Sequence, residues 1–168
     1  MGIFDREKDF ETPEGEISGF LAEGTAFEGV LVFEGTVRID GKLTGKIICK
    51  PQCTGTLIVG ETGHVESDLI VTDNLLVSGK FLGKGPVIAL DVADFRGDSK
   101  IEIQKNYALY ASRIIIKNKS LFQGKSVMIR HEAQKTKEQI KNLIFENKNQ
   151  QINIPFEPNP LLKGITEK

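Results

Sequence analysis

The sequence predicts an all-β chain wound as a parallel β-solenoid of triangular section, and two observations carry that prediction. Of the 17 glycines in 168 residues, 13 fall between Gly15 and Gly85. Glycine accepts a positive φ at little steric cost, so a chain that turns corners at short intervals uses it there. The second observation is a repeat. The apolar pairs Leu57/Val59 and Leu75/Val77 lie 18 residues apart, as do Leu69/Val71 and Val87/Ala89. Residues i and i+2 of a strand face one side, so each pair reads as the inward face of a short strand. A period near 18 with three strands in each is a triangular coil, its successive windings parallel and about 4.8 Å apart.

Residues 1–16 carry six acids against two bases, with one proline, the composition of a flexible arm. Residues 17–130 form the solenoid. Phe20, Leu21, Phe27, Val30, Leu31 and Phe33 supply its first coil, and Val37, Ile39, Leu43 and Ile47 continue it. Val65 and Phe81 each follow a glycine turn as single core residues. The 114 residues from Ile17 to Arg130 make about six windings, a rod roughly 29 Å long at ~4.8 Å per winding. Between Asp91 and Ala111 the turns lack glycine except Gly97, so an irregular coil or protruding loop is expected. Ile114, Ile115, Ile116, Leu121, Phe122, Val127, Met128 and Ile129 fill the last coil. Residues 131–168 form a tail. Ile140, Leu143 and Ile144 sit at helical spacing in it, and Pro155, Pro158 and Pro160 exclude regular structure further on.

The end coils decide what such a rod does. A solenoid coil pairs its backbone with the coils on either side, so the outermost coils need polar caps or a partner. Neither end here is polar. Phe20, Phe27 and Leu31 at one end, and Ile116, Leu121, Phe122 and Met128 at the other, predict stacking through both ends. The competing expectation is a cap, with the helix of Ile140 to Phe145 folded over the last coil.

Little else points to chemistry. Cys49 and Cys53 have no second pair to complete four zinc ligands, and they read as turn or core thiols. Neither metal nor cofactor is expected. The tripeptide Gly124-Lys125-Ser126 lacks the glycine a phosphate loop needs five residues earlier, where Lys119 stands. Val59, Val65, Val71 and Val77 are spaced by six, the hexapeptide period of left-handed β-helix acyltransferases. That run does not continue, and His64 alone lies in the repeat as a candidate base. A non-polymerising adaptor that binds partners through Gln139–Phe156 is a third reading. Residues 100–130 hold seven bases and one acid, but these are scattered along the chain. They read as a solvated face, and no nucleic-acid partner is expected. No apolar run approaches the ~20 residues of a spanning helix. The first sixteen residues lack a signal-peptide core, so the expected location is the cytoplasm.

Two stretches, ISGFLAEGTAFEGVLVFEGTVRIDGKLTGKI from Ile17 and GTLIVGETGHVESDLIV from Gly55, resemble the bactofilins, bacterial cytoskeletal proteins with a polymer-forming β-helix. Phe122, Gly124 and Met128 also meet that family's C-terminal F-x-G-x-x-x-M pattern. The resemblance implies a right-handed helix of about six windings that assembles without nucleotide into nonpolar filaments, head to head and tail to tail. It gives Phe122 a place in the self-associating end coil. It implies a role in cell shape or in positioning cell-wall enzymes, often at the inner membrane. Of the apolar or basic membrane-targeting peptide that many members carry, only Ile3 and Phe4 are present here, beside acidic neighbours.

Overall fold

The computed structural model describes residues 17–117, 119–129 and 141–142. In chain order the strands are β1 (Gly19–Leu21), β2 (Ala26–Phe33), β3 (Thr36–Ile39), β4 (Lys42–Cys49), β5 (Thr56–Val59), β6 (His64–Val77), β7 (Lys80–Gly83), β8 (Val87–Phe95), β9 (Lys100–Ile103), β10 (Ala108–Ile116), β11 (Leu121–Gln123) and β12 (Lys125–Met128). Every pairing is parallel, and together they make one continuous sheet that winds into a solenoid of three walls.

One vertical ladder of paired residues defines each wall. On the first wall Gly19, Val37, Leu57, Leu75, Ala93 and Ile114 stack. The second stacks Phe27, Leu43, Val65, Phe81, Ile101 and Phe122. The third stacks Leu31, Ile47, Ile70, Val87, Leu109 and Ser126. Six rungs in each ladder give the six windings expected. The apolar members of these ladders, from Val37 to Leu109, form one axial core. Burial on this scale, at about 25 cal/mol per Å² of apolar surface, is what opposes the entropy of ordering so many short strands.

The corner between the second and third walls shows how sequence sets the bend. Gly45 has a φ of 134°, and a Cβ there would run into the backbone carbonyl of Gly29 in the coil below. No other residue fits that stacked corner.

Three expectations need correction. The period is not fixed at 18. That spacing holds for Leu57 on Leu75, whereas Phe27 to Leu43 is 16 and Ile47 to Ile70 is 23, because the turns differ in length. Leu69 and Val71 do not face the axis. The β4–β6 pairing slips between Gly45 and Lys46, leaving Asp68 as an extra residue, so Ile70 pairs Ile47 and points inward. Finally, the stretch from Asp91 to Ala111 does not protrude: it pairs as a coil, and its irregularity is confined to the register shifts at Leu90–Asp91. Ile101 stacks on Phe81 in the ladder, and the glycine missing from its second turn is replaced by Asn106 with a φ of 82°, a conformation asparagine tolerates better than most residues.

Candidate functional site

The ladders run out at both ends of the rod. At the N-terminal end β1 pairs only β3 and β2 pairs only β4 among the described residues. At the C-terminal end, again among the described residues, β11 pairs only β9, β12 pairs only β10, and Arg113–Ile116 of β10 pairs only β8. Each end therefore presents a row of backbone donors and acceptors with one side open.

The side chains over these edges are large and apolar. Phe27 and Phe122 are the two ends of the same ladder, and both are half-buried against the core. The Phe122 ring stacks on Phe95 with centroids 5.7 Å apart and planes 12° from parallel. Leu31 ends the third-wall ladder. Ile116 continues the rung of Phe95 and Met128 that of Ala111, and these two are about half exposed, at 50% and 48%. Phe20 and Leu121 differ. They alternate with the inward residues and project from the rim of their coils, each 60% exposed. The sequence-based set thus divides into five ladder ends (Phe27, Leu31, Ile116, Phe122 and Met128) and two rim residues. Leu21 and Ile114 belong with the ladder ends, since both pack on the core from an open coil. The signal that would have found them is register: each pairs inward of a residue already assigned to the core. Ile3 and Phe4 lie outside the described residues.

Polar groups elsewhere pair with one another along the walls. Outside the second wall, Glu66 accepts from Lys84 at 3.0 Å and lies 3.3 Å from His64 Nε2. The Lys84 hydrogen bond holds the Glu66 carboxyl below the usual range. Cys49 is buried, and desolvation pushes its thiol up to about 12, well away from the thiolate form that reacts. Cys53 bonds Glu34 at 3.4 Å and is also raised, first by desolvation and then by that carboxyl. The hexapeptide run is broken in space. Val59, Val65 and Val77 belong to the axial core, whereas Val71 belongs to a separate cluster outside the third wall. Among the described residues no group of three or more His, Cys, Asp or Glu side chains is placed to hold a metal ion, and no helix is long and apolar enough to cross a membrane.

Fold and ends together define the class: a β-solenoid whose terminal coils are apolar and open along their backbone edges. The family profile of Bactofilin, described as polymer-forming cytoskeletal, matches residues 19–127, which is the solenoid from its first strand to within a residue of its last. The chain belongs to the bactofilin family, and is accordingly a polymer-forming cytoskeletal protein. Comparison with curated proteins and with solved structures finds no match.

Proposed function

We propose that this protein assembles end to end into filaments without nucleotide, through its two terminal coils, and that the filament is a scaffold for cell shape or for positioning cell-wall enzymes at the inner face of the cytoplasmic membrane. One observation carries the reading: among the described residues every core ladder ends on a residue with no partner beyond it, and all but Ser126 and Gly19 of those ends are apolar. A second molecule stacked on an end would extend the same parallel or antiparallel backbone pairing and remove Phe27 or Phe122 from water.

Head-to-head and tail-to-tail contacts follow from the family resemblance. The net charges of residues 1–16 and 100–130 are opposite in sign and would favour the polar alternative. Subunit direction is therefore the deciding measurement. Ile3 and Phe4 are proposed as membrane contacts that become effective only when a filament displays many copies at once.

Negative-stain microscopy of purified protein without nucleotide tests the proposal. Filaments with two-fold axes between successive subunits are expected. A monodisperse monomer across salt and protein concentration would overturn it.

A further inference from the structure

The third wall carries a second apolar surface on its outer side. Ile47 and Cys49 point to the axis, so Ile48 between them points out. By the same alternation Val71, Ile88 and Tyr110 point out. Register stacks these four directly above one another. Outer residues of a one-sheet wall should meet solvent. On the second wall they do: Lys80 and Lys100 are exposed. Yet Ile48 and Val71 are 0% and Ile88 1% exposed. They form a cluster of their own, separate from the axial core, with Leu69, Leu90 and Ile129. Among the described residues no further strand is paired to cover it.

A socket sits at the edge of this wall. Asp73 Oδ2 accepts from the Gly55 N–H at 2.7 Å and from the Lys141 ammonium at 2.7 Å. The same ammonium donates to the Cys53 carbonyl at 2.7 Å. Both charged side chains are almost fully buried, at 4% and 7% exposure. Lys141 is thus held beside the third coil, far from the last coil that a cap would cover.

We propose that the outer apolar wall is the docking site for the chain's own segment 133–145, anchored there by Lys141 in the Asp73 socket. Distance and pattern fit. Ile129 leaves the sixth coil already inside the outer cluster, and Asp73 lies three coils back, about 14 Å away. Twelve residues separate Ile129 from Lys141, enough chain for that distance even at the 1.5 Å rise per residue of a helix, about 18 Å. Ile140, Leu143 and Ile144 at helical spacing supply an apolar face for the wall. The ammonium supplies the charge that a buried Asp73 needs, since a carboxylate out of water must be paired. The consequence is directional. With its flank covered, the rod keeps its open apolar surface at the ends, and side-by-side association is suppressed.

Amine footprinting on the full chain reads this without reference to filaments. Lys141 should be modified at least about tenfold more slowly than Lys80, because reaction requires local opening. Asp73→Asn should bring the two rates within about twofold, with the β-sheet circular dichroism unchanged. The full-length double variant Ile140→Asp/Ile144→Asp should likewise expose Lys141 and raise binding of a hydrophobic dye. Zero-length coupling of Lys141 to Asp73 in a mixture of isotopically light and heavy chains identifies the owner of the segment. Only like-with-like products are expected. A Lys141 as reactive as Lys80 in the unmodified chain overturns the docking, as does a rate that neither variant changes. Light–heavy products overturn the assignment to the chain's own segment and give the socket to a second copy.

Discussion

Val65 and Phe122 occupy equivalent places in one ladder of the second wall, yet they live in different environments. Val65 has Leu43 on one side and Phe81 on the other, and is completely buried. Phe122 has Ile101 on one side and no paired residue on the other among the described residues, and stays half-buried. In a globular domain the core is enclosed by the domain itself. In this rod each coil is enclosed by its neighbours, so a core-type residue at an end is an unfilled contact. The sharpest way to test that difference is to remove one ring from the middle. Phe81→Ala should cost about 3–5 kcal/mol, the loss of a large buried aromatic plus the cavity it leaves. Thermal denaturation should show the whole rod melting earlier. A loss under about 1 kcal/mol would mean that the coils are enclosed by something other than one another.

The corner and the end come next in size. Gly45→Ala places a methyl against the Gly29 carbonyl at a φ of 134°, so strain and steric conflict add, for roughly 2–3 kcal/mol. Gly97→Ala, at φ 59° with open space around it, should cost about 1 kcal/mol. If the two variants melt alike, the stacked corner is not what demands glycine. Phe122→Arg removes the stack on Phe95 but only a half-buried ring, so about 1–2 kcal/mol of stability is expected to go. Assembly should be abolished, because a guanidinium at the end of a core ladder cannot be buried by the next molecule without a partner. Sedimentation separates the two effects. Polymer formed at unchanged concentration by a folded Phe122→Arg chain would remove this residue from the interface.

The parts of the fold legible in the sequence are those where the repeat spacing equals the true register. Leu57/Val59 and Leu75/Val77 are 18 apart in sequence and in pairing, although Ile58 and Leu76 between them are apolar as well. Leu69/Val71 mislead because their spacing of 18 from Val87/Ala89 is not the register, in which Ile70 pairs Val87. Their strand is apolar on both sides, and period-two alternation cannot tell inside from outside when both are buried. The extra residue at Asp68 that moves the register has no sequence mark of its own. The fifth coil is hidden from a search for glycine turns, because Asn106 serves at one of its turns instead. The end coils were visible as composition, but which residues end a ladder and which project from the rim required the pairing. The Lys141–Asp73 pair joins positions 68 apart, and nothing in either neighbourhood singles it out among 45 acidic and basic Asp, Glu, Lys and Arg residues.

The smallest effect expected concerns the outside of the second wall, where middle and end should not differ. Glu66 and Lys84 make an ion pair at 3.0 Å with side chains 23% and 43% exposed, and such pairs contribute about 0–1 kcal/mol after screening. The Glu66 carboxyl is held below its ordinary range by the Lys84 hydrogen bond. A carboxyl lowered in the folded state stabilises it at pH values above the unfolded carboxylate range. That contribution disappears as pH falls through the folded value, where the group protonates. Lys84→Ala should therefore cost about 0.5 kcal/mol or less at pH 7 in low salt. It should cost nothing measurable near pH 2–3, nor in about 1 M salt where the Debye length is about 3 Å. Chemical denaturation of the two chains at both pH values would show it. A loss above about 1 kcal/mol that persists in acid would mean that Lys84 acts through packing of its aliphatic stem on the wall, and that the outer charges are part of what holds adjacent coils together.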